Sequence, residues 1–80
     1  MNEIQEQFYN FFIEKVIEEK KEEAIKLLET TFEKQNKGEF NFQYFKETEP
    51  KYMALVKSEY MDEVTKLMEQ YGANLQNNNS

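Results

Sequence analysis

The chain has 80 residues, a net charge of −6 and no Cys, His or Arg. A chain of this length forms one domain at most and buries only about 60% of the surface that its unfolded form exposes. The missing residue types exclude thiolate nucleophiles, most zinc sites and bidentate phosphate clamps. An acidic balance argues against nucleic acid or an anionic membrane as a partner.

The composition predicts a folded protein, because Leu, Ile, Val and Phe together make up 19 of 80 residues. That fraction lies above the level of about 20% below which highly charged chains tend to stay disordered. The sequence has neither an apolar run that could span a bilayer nor the charged and apolar pattern of a secretory signal. We therefore expect a cytoplasmic protein.

The first predicted helix begins after Asn2, which forms a capping box with Gln5. No Pro or Gly interrupts the sequence from Glu3 to Gln35. The run from Glu18 to Glu23 contains no apolar residue, and we expect the helix to pass through it continuously or with a kink. A break near Glu19 to Lys21 is the alternative.

Apolar side chains cover an unusually wide sector of this helix. At about 100° per residue they span some 240° of the circumference, whereas a surface helix needs a stripe of about 100°. The pattern predicts a helix that is hidden on two sides. The two groups of side chains are Ile4, Phe8, Phe11 and Phe12 on one side, and Tyr9, Ile13, Val16 and Ile17 on the adjoining side.

The rest of the chain predicts two more helices. Gly38 ends the first segment, and Asn41 caps a short helix over Phe42–Glu47. Thr48 caps a last helix that places Pro50 in its first turn and runs to Tyr71, where Gly72 ends it. Residues 73–80 form a flexible polar tail, which leaves residues 1–72 as a single helical domain.

These elements predict an all-α fold. We expect an antiparallel helical hairpin or a three-helix bundle with a long or kinked N-terminal helix.

The central turn resembles a degenerate EF-hand, the calcium-binding helix–loop–helix. With Glu33 as the first loop position, Gly38 falls at the sixth, where that motif needs Gly, and Phe40 falls at the eighth, which is usually apolar. The resemblance covers residues 25–52 and implies ligands at loop positions one, three, five, nine and twelve. These positions hold Glu33, Gln35, Lys37, Asn41 and Tyr44.

Two of these positions hold residues that cannot act as the required ligands. Lys37 brings a positive charge, and Tyr44 cannot supply two carboxylate oxygens. We therefore expect no tight calcium binding. The alternative interpretation is a helix end at Gly38 followed by a helix start at Asn41.

No catalytic, cofactor-binding or metal-binding residues are predicted. Glu pairs one helical turn apart, such as Glu14 and Glu18, are found in di-metal bundles, but those sites also use His. We interpret these pairs as solvated surface and do not expect an enzyme.

The surplus of apolar helix surface predicts a protein–protein interaction module that forms a homodimer or binds another protein. The expected contact residues are Phe8, Tyr9, Phe12, Ile13 and Val16. The alternative is that these side chains fill a three-helix core.

Two other classes of function are open. The first is an acidic inhibitor that imitates nucleic acid and occupies a basic cleft. Between Glu14 and Lys34, however, seven Glu are interleaved with five Lys, which dilutes the negative field. The second is an EF-hand-like module without tight calcium binding.

Overall fold

The computed structural model describes residues 1–78, and the side chains of residues 1–75. These residues form four α-helices: α1 (Glu3–Ile13), α2 (Lys21–Asn36), α3 (Phe42–Met53) and α4 (Met61–Asn78). No strand is present in residues 1–78. The predicted all-α class and helical-bundle architecture are confirmed, and the bundle has four α-helices. No helix in the described part of the chain has the length and apolar character to cross a membrane.

The four helices form two similar helix–loop–helix units. The first unit consists of α1, a loop and α2, and the second consists of α3, a loop and α4. Short 3₁₀ turns at Glu18–Lys20 and Ser58–Tyr60 lead into α2 and α4. The two turns are 40 residues apart, so each position of the first unit has an equivalent 40 residues later.

The two loops pair through a single antiparallel bridge between Val16 and Val56. The Ile17 N–H donates to the Leu55 carbonyl and the Lys57 N–H donates to the Lys15 carbonyl, both at 2.9 Å. Each bond is the counterpart of the other after a shift of 40 residues. The bridge therefore joins the two units in a nearly twofold manner.

The first predicted helix is broken rather than continuous. It ends at Ile13, and the chain does not become α-helical again until Lys21. The loop is stable because Val16 is fully buried and because the bridge supplies the backbone partners that a continuous helix would have supplied. Val16 and Ile17 belong to this loop and not to a helix, and without them the apolar side chains of α1 still span about 200°, from Phe11 to Ile13.

The predicted C-terminal helix is broken in the same way. Pro50 lies inside α3 and not at a helix start. Thr48 is not an N-cap, because its hydroxyl donates to the Tyr44 carbonyl at 2.8 Å within the same helix. Pro50 and Lys46 are both exposed, so the Lys46 carbonyl that loses its usual donor lies at the water-facing side. The predicted end of this helix at Glu47 is also wrong, because α3 continues through Pro50 to Met53.

The expected helix end at Gly72 is also wrong, because α4 continues to Asn78. Gly72 is buried, and a Cβ added there would lie 2.9 Å from the Phe45 ring. Its function is therefore close packing of α4 on α3. Of the predicted tail, residues 73–78 are helical, and residues 79–80 lie outside the described residues.

Three predicted helix ends are confirmed. Asn2 and Gln5 form the capping box of α1, with the Gln5 N–H donating to Asn2 Oδ1 at 2.8 Å. Asn41 caps α3 by accepting from the Tyr44 N–H at 2.8 Å. Gly38 ends α2 with φ +73°, and the Glu39 N–H reaches back to the Lys34 carbonyl at 2.8 Å. This 6→1 bond is the signature of a Schellman motif.

One core lies between the two units. It contains side chains from all four helices and from both loops. Its buried apolar members are Phe12, Val16, Ala24, Leu28, Phe32, Phe45, Tyr52, Leu55, Val56, Val64 and Met68.

Candidate functional site

An apolar opening lies at the end of the bundle that is remote from the Val16–Val56 bridge. It is built from the first half of α1, the second half of α2, the linker, α3 and the second half of α4, and we call it the apolar mouth. It encloses a cavity of about 80 Å³. The apolar residues that line it are Ile4, Phe8, Phe32, Phe40, Phe45, Tyr52, Met68 and Tyr71.

The polar residues of the mouth are uncharged and already hydrogen-bonded. They are Gln5, Thr31, Gln35 and Thr48. Gln5 Nε2 donates to Gln35 Oε1 at 2.9 Å across α1 and α2. The Thr31 and Tyr52 hydroxyls lie 2.6 Å apart and share a hydrogen bond. No buried side-chain polar atom of the described residues lacks a partner.

The Tyr52 hydroxyl stays neutral over the physiological range. Burial raises the pKa of Tyr52 well above its usual value, against the smaller opposing effect of the hydrogen bond with Thr31. Because none of the twelve lining residues carries a charge, the mouth suits an apolar or neutral group rather than an ion.

Two large exposed apolar side chains line this mouth. Among the described side chains, the large apolar ones that are exposed are Met1, Ile4 and Tyr71, at 69%, 71% and 37%. Of these, Ile4 and Tyr71 line the mouth. Contiguous exposed apolar surface of this kind marks interaction sites in soluble proteins.

The cavity is small. Pockets that hold drug-sized ligands or cofactors enclose about 300–1,000 Å³. A cavity of about 150 Å³ accepts one benzene molecule. The 80 Å³ of the apolar mouth therefore corresponds to a single aliphatic side chain.

The structure divides the five predicted contact residues between the core and its edge. Phe12 and Val16 have no exposed surface, so the prediction that they contact a partner is not compatible with this fold. The Phe12 ring packs edge-on to Tyr52 at 5.1 Å, and Val16 forms the bridge. Phe8, Tyr9 and Ile13 are half-buried and pack against the core, and only Phe8 lines the mouth.

Several residues of the mouth were not predicted from the sequence to be contact residues. Phe40 and Tyr71 come from the linker and from the second half of α4, and Thr31 and Thr48 come from two further helices. Helical periodicity marks which side of each helix is apolar. It does not indicate which apolar side chains of different helices meet at an opening, so the residues of the mouth could not be predicted from it.

A second cluster surrounds Lys15, whose side chain is 8% exposed. Its ammonium group lies 3.9 Å from the centre of the Phe11 ring and 5.5 Å from that of Tyr60. It also donates to Glu14 Oε1 at 3.0 Å and lies 3.9 Å from Glu63 Oε1. These contacts, two from each unit, compensate a buried charge beside the bridge.

The predicted EF-hand-like loop corresponds to the end of α2, the linker and the start of α3. Glu33, at the first loop position, accepts a hydrogen bond from Lys37 Nζ at 2.8 Å. The hydrogen bond and charge of Lys37 lower the pKa of the Glu33 carboxyl. Among the described residues, no group of three or more carboxylates could hold a metal ion. The resemblance itself stays a prediction.

Comparison with known proteins adds no family to this description. No protein-family model matches the chain, and neither the curated proteins nor the solved structures gave a match. The fold and the apolar mouth are therefore the basis of the functional proposal.

Proposed function

We propose that this protein is a small, acidic helical module for protein–protein interaction, located in the cytoplasm. Its contact surface is the apolar mouth, which receives an apolar side chain of a protein partner. The observation that carries this proposal is that Ile4 and Tyr71, two exposed apolar side chains, line an uncharged opening.

The size of the cavity favours a protein side chain over a free small molecule. About 80 Å³ is too little for a cofactor, and a single apolar group contributes too little energy to hold a small ligand tightly. A side chain from a folded partner is held additionally by the surface around it. Interfaces of this kind use a buried apolar anchor within a rim of weaker contacts.

The charge pattern gives less support to imitation of nucleic acid. Lysines lie beside carboxylates in the ion pairs Lys21–Glu18, Lys34–Glu39 and Lys37–Glu33. A surface that imitates a phosphate backbone needs a continuous negative field, and interleaved lysines reduce it.

The proposal is tested with N-acetyl-isoleucine methylamide, which presents one branched aliphatic side chain. At about 0.3 kcal/mol per non-hydrogen atom, we expect an affinity on the order of 1 mM. In a titration followed by NMR, shifts should concentrate on Met68, Phe45 and Phe8. The Ile4→Ala variant is used, so that self-association cannot compete for the site.

N-acetyl-glutamate methylamide is the matched control, because it has a side chain of similar length with a charge. It should give no saturable shifts at the mouth. Shifts that scatter over the surface, or equal shifts with both probes, would overturn the proposed function.

A further inference from the structure

We infer that the partner of the apolar mouth is a second copy of this chain, with Ile4 of each copy seated in the mouth of the other. This inference rests on the proposed function and specifies its partner.

Ile4 is the apolar residue of the mouth that the fold leaves most open to water. It lies at the rim and is 71% exposed, while Phe32, Phe45 and Met68 behind it are 3–8% exposed. A large apolar side chain that stays in water forgoes the stabilisation that its burial would give. A projecting side chain and an unfilled cavity therefore stand side by side on one surface.

A projection beside a cavity is the arrangement that a twofold dimer requires. In such a dimer the same patch of both copies is used, so the projection of each copy meets the cavity of the other. Because Ile4 adjoins its own mouth, a twofold axis close to Ile4 brings each isoleucine to the opposite cavity. The cavity of about 80 Å³ and the four-carbon side chain of Ile4 are similar in size.

The charge distribution also permits a second copy at this surface. Two chains that each carry a charge of −6 repel each other, and contact through carboxylates would strengthen the repulsion. The twelve residues that line the mouth carry no charge. At this surface two copies meet without bringing carboxylates into the cavity.

The expected interface is small. Interfaces of small proteins commonly cover about one tenth of the surface of each copy, which for 5604 Å² corresponds to roughly 1,100 Å² in total, just below the range of about 1,200–2,000 Å² of stable specific interfaces. We therefore expect a dissociation constant in the micromolar range or weaker. The dimer should dissociate on dilution and should weaken less with added salt than an interface built on ion pairs.

The inference is tested by sedimentation equilibrium of the full chain. The protein concentration runs from about 10 μM to about 1 mM, roughly two decades around the expected dissociation constant. The wild type should show a reversible monomer–dimer equilibrium. Ile4→Glu should raise the dissociation constant by roughly a hundredfold or more, because it places a charge in each of two apolar cavities. Ile4→Met, which keeps an apolar side chain, should raise it less than about tenfold.

Asn10→Glu is the matched control. It adds the same charge to an exposed position of α1 about 120° away from Ile4, and it should leave the dissociation constant nearly unchanged. Circular dichroism checks that every variant keeps its helix content. A sample that mixes isotope-labelled and unlabelled chains should show NOE contacts between Met68 and the partner subunit's Ile4.

The results separate this inference from the proposed function. A monomer at 1 mM, or a dimer that Ile4→Glu does not weaken, overturns the second copy as partner. If the isoleucine probe still binds at the mouth in that case, the interaction module stands with a different partner. If the probe does not bind, the proposed function is overturned as well.

Discussion

The two helix–loop–helix units have the same order of elements and equivalent loop hydrogen bonds, but different side chains pack in their common core. The N–H groups of Lys15 and Leu55 donate to the carbonyls of Phe12 and Tyr52, both at 3.0 Å. At equivalent positions, however, the residues differ in charge, size or polarity. Three such pairs are Lys15 and Leu55, Phe32 and Gly72, and Phe12 and Tyr52.

This difference shows that the repeat is one of backbone geometry, whereas the core is asymmetric. Where the first unit has Phe32, the second has Gly72, and the space at Gly72 is filled by Phe45. Gln5, the counterpart of Phe45, instead bonds to Gln35 across the mouth. The apolar mouth belongs to this asymmetric part of the molecule.

The largest expected effect comes from placing the lysine of position 15 at the equivalent position 55. Leu55→Lys should lower the free energy of unfolding by about 3–5 kcal/mol, because it buries a charge that lacks most of the contacts of Lys15. The positions that correspond to the rings around Lys15 hold Lys51 and Lys20, and the position of Glu14 holds Ala54. Only Glu63, the more distant carboxylate at 3.9 Å, has an acidic counterpart, Glu23. Urea unfolding followed by circular dichroism measures the change.

The reciprocal variant Lys15→Leu is the control for this prediction. Replacing a buried, compensated charge by an apolar residue of similar size is often neutral, so we expect a change within about 1 kcal/mol. Equal losses in the two variants would show that the environments at positions 15 and 55 do not differ as described.

A smaller effect is expected at the second pair of positions. Gly72→Val should destabilise the fold by about 2–3 kcal/mol, because its Cβ would lie 2.9 Å from the ring of Phe45, which is packed in the core. Ala73→Val, one residue later on the exposed side of α4, is the control and should change the stability by less than about 0.5 kcal/mol. Thermal unfolding of both variants measures the difference. Should Gly72→Val prove as stable as its control, close packing of α4 on Phe45 would be excluded.

The smallest effect is expected from Tyr52→Phe, which makes this residue identical to Phe12, its equivalent in the first unit. At neutral pH the variant should lose about 1 kcal/mol, because the hydrogen bond to Thr31 is removed. Thr31 keeps the Tyr44 hydroxyl at 3.2 Å as a second partner.

The pH dependence of this variant tests the burial of the Tyr52 hydroxyl. The folded state holds the pKa of Tyr52 above its unfolded value of about 10, so the folded state binds more protons than the unfolded state above that pH. The stability of the wild type should therefore fall faster than that of Tyr52→Phe as the pH rises from 10 to 11. Unfolding titrations at pH 7, 10 and 11 measure both curves. Parallel curves would indicate that the hydroxyl is solvated in the folded protein.

The sequence was sufficient for the features that depend on local chemistry. The helix start at Asn2 depends on a capping box, and the end of α2 depends on the left-handed conformation of Gly38. Both are decided within a few residues of the chain. The all-α class likewise follows from good helix formers and helical periodicity.

The repeat left a signal in the sequence that helical periodicity does not detect. From position 16 to position 30, six of 15 residues are identical to those 40 positions later. The identical pairs are Val16/Val56, Glu19/Glu59, Glu23/Glu63, Lys26/Lys66, Leu27/Leu67 and Glu29/Glu69. A comparison of the chain with itself would have indicated that the two halves repeat each other at a spacing of 40 residues, but not that a helix breaks in each half.

The sequence by itself determined an all-α protein with defined helix ends at Asn2, Gly38 and Asn41. Only the tertiary structure decided that the chain breaks after Ile13 and after Met53. Helix propensities differ by at most about 0.7 kcal/mol among ordinary residues, whereas burying a valine contributes about 1.5–3 kcal/mol. Val16 and Val56 obtain that burial only when the two loops meet, so the contact between distant parts of the chain outweighs the local preference for helix.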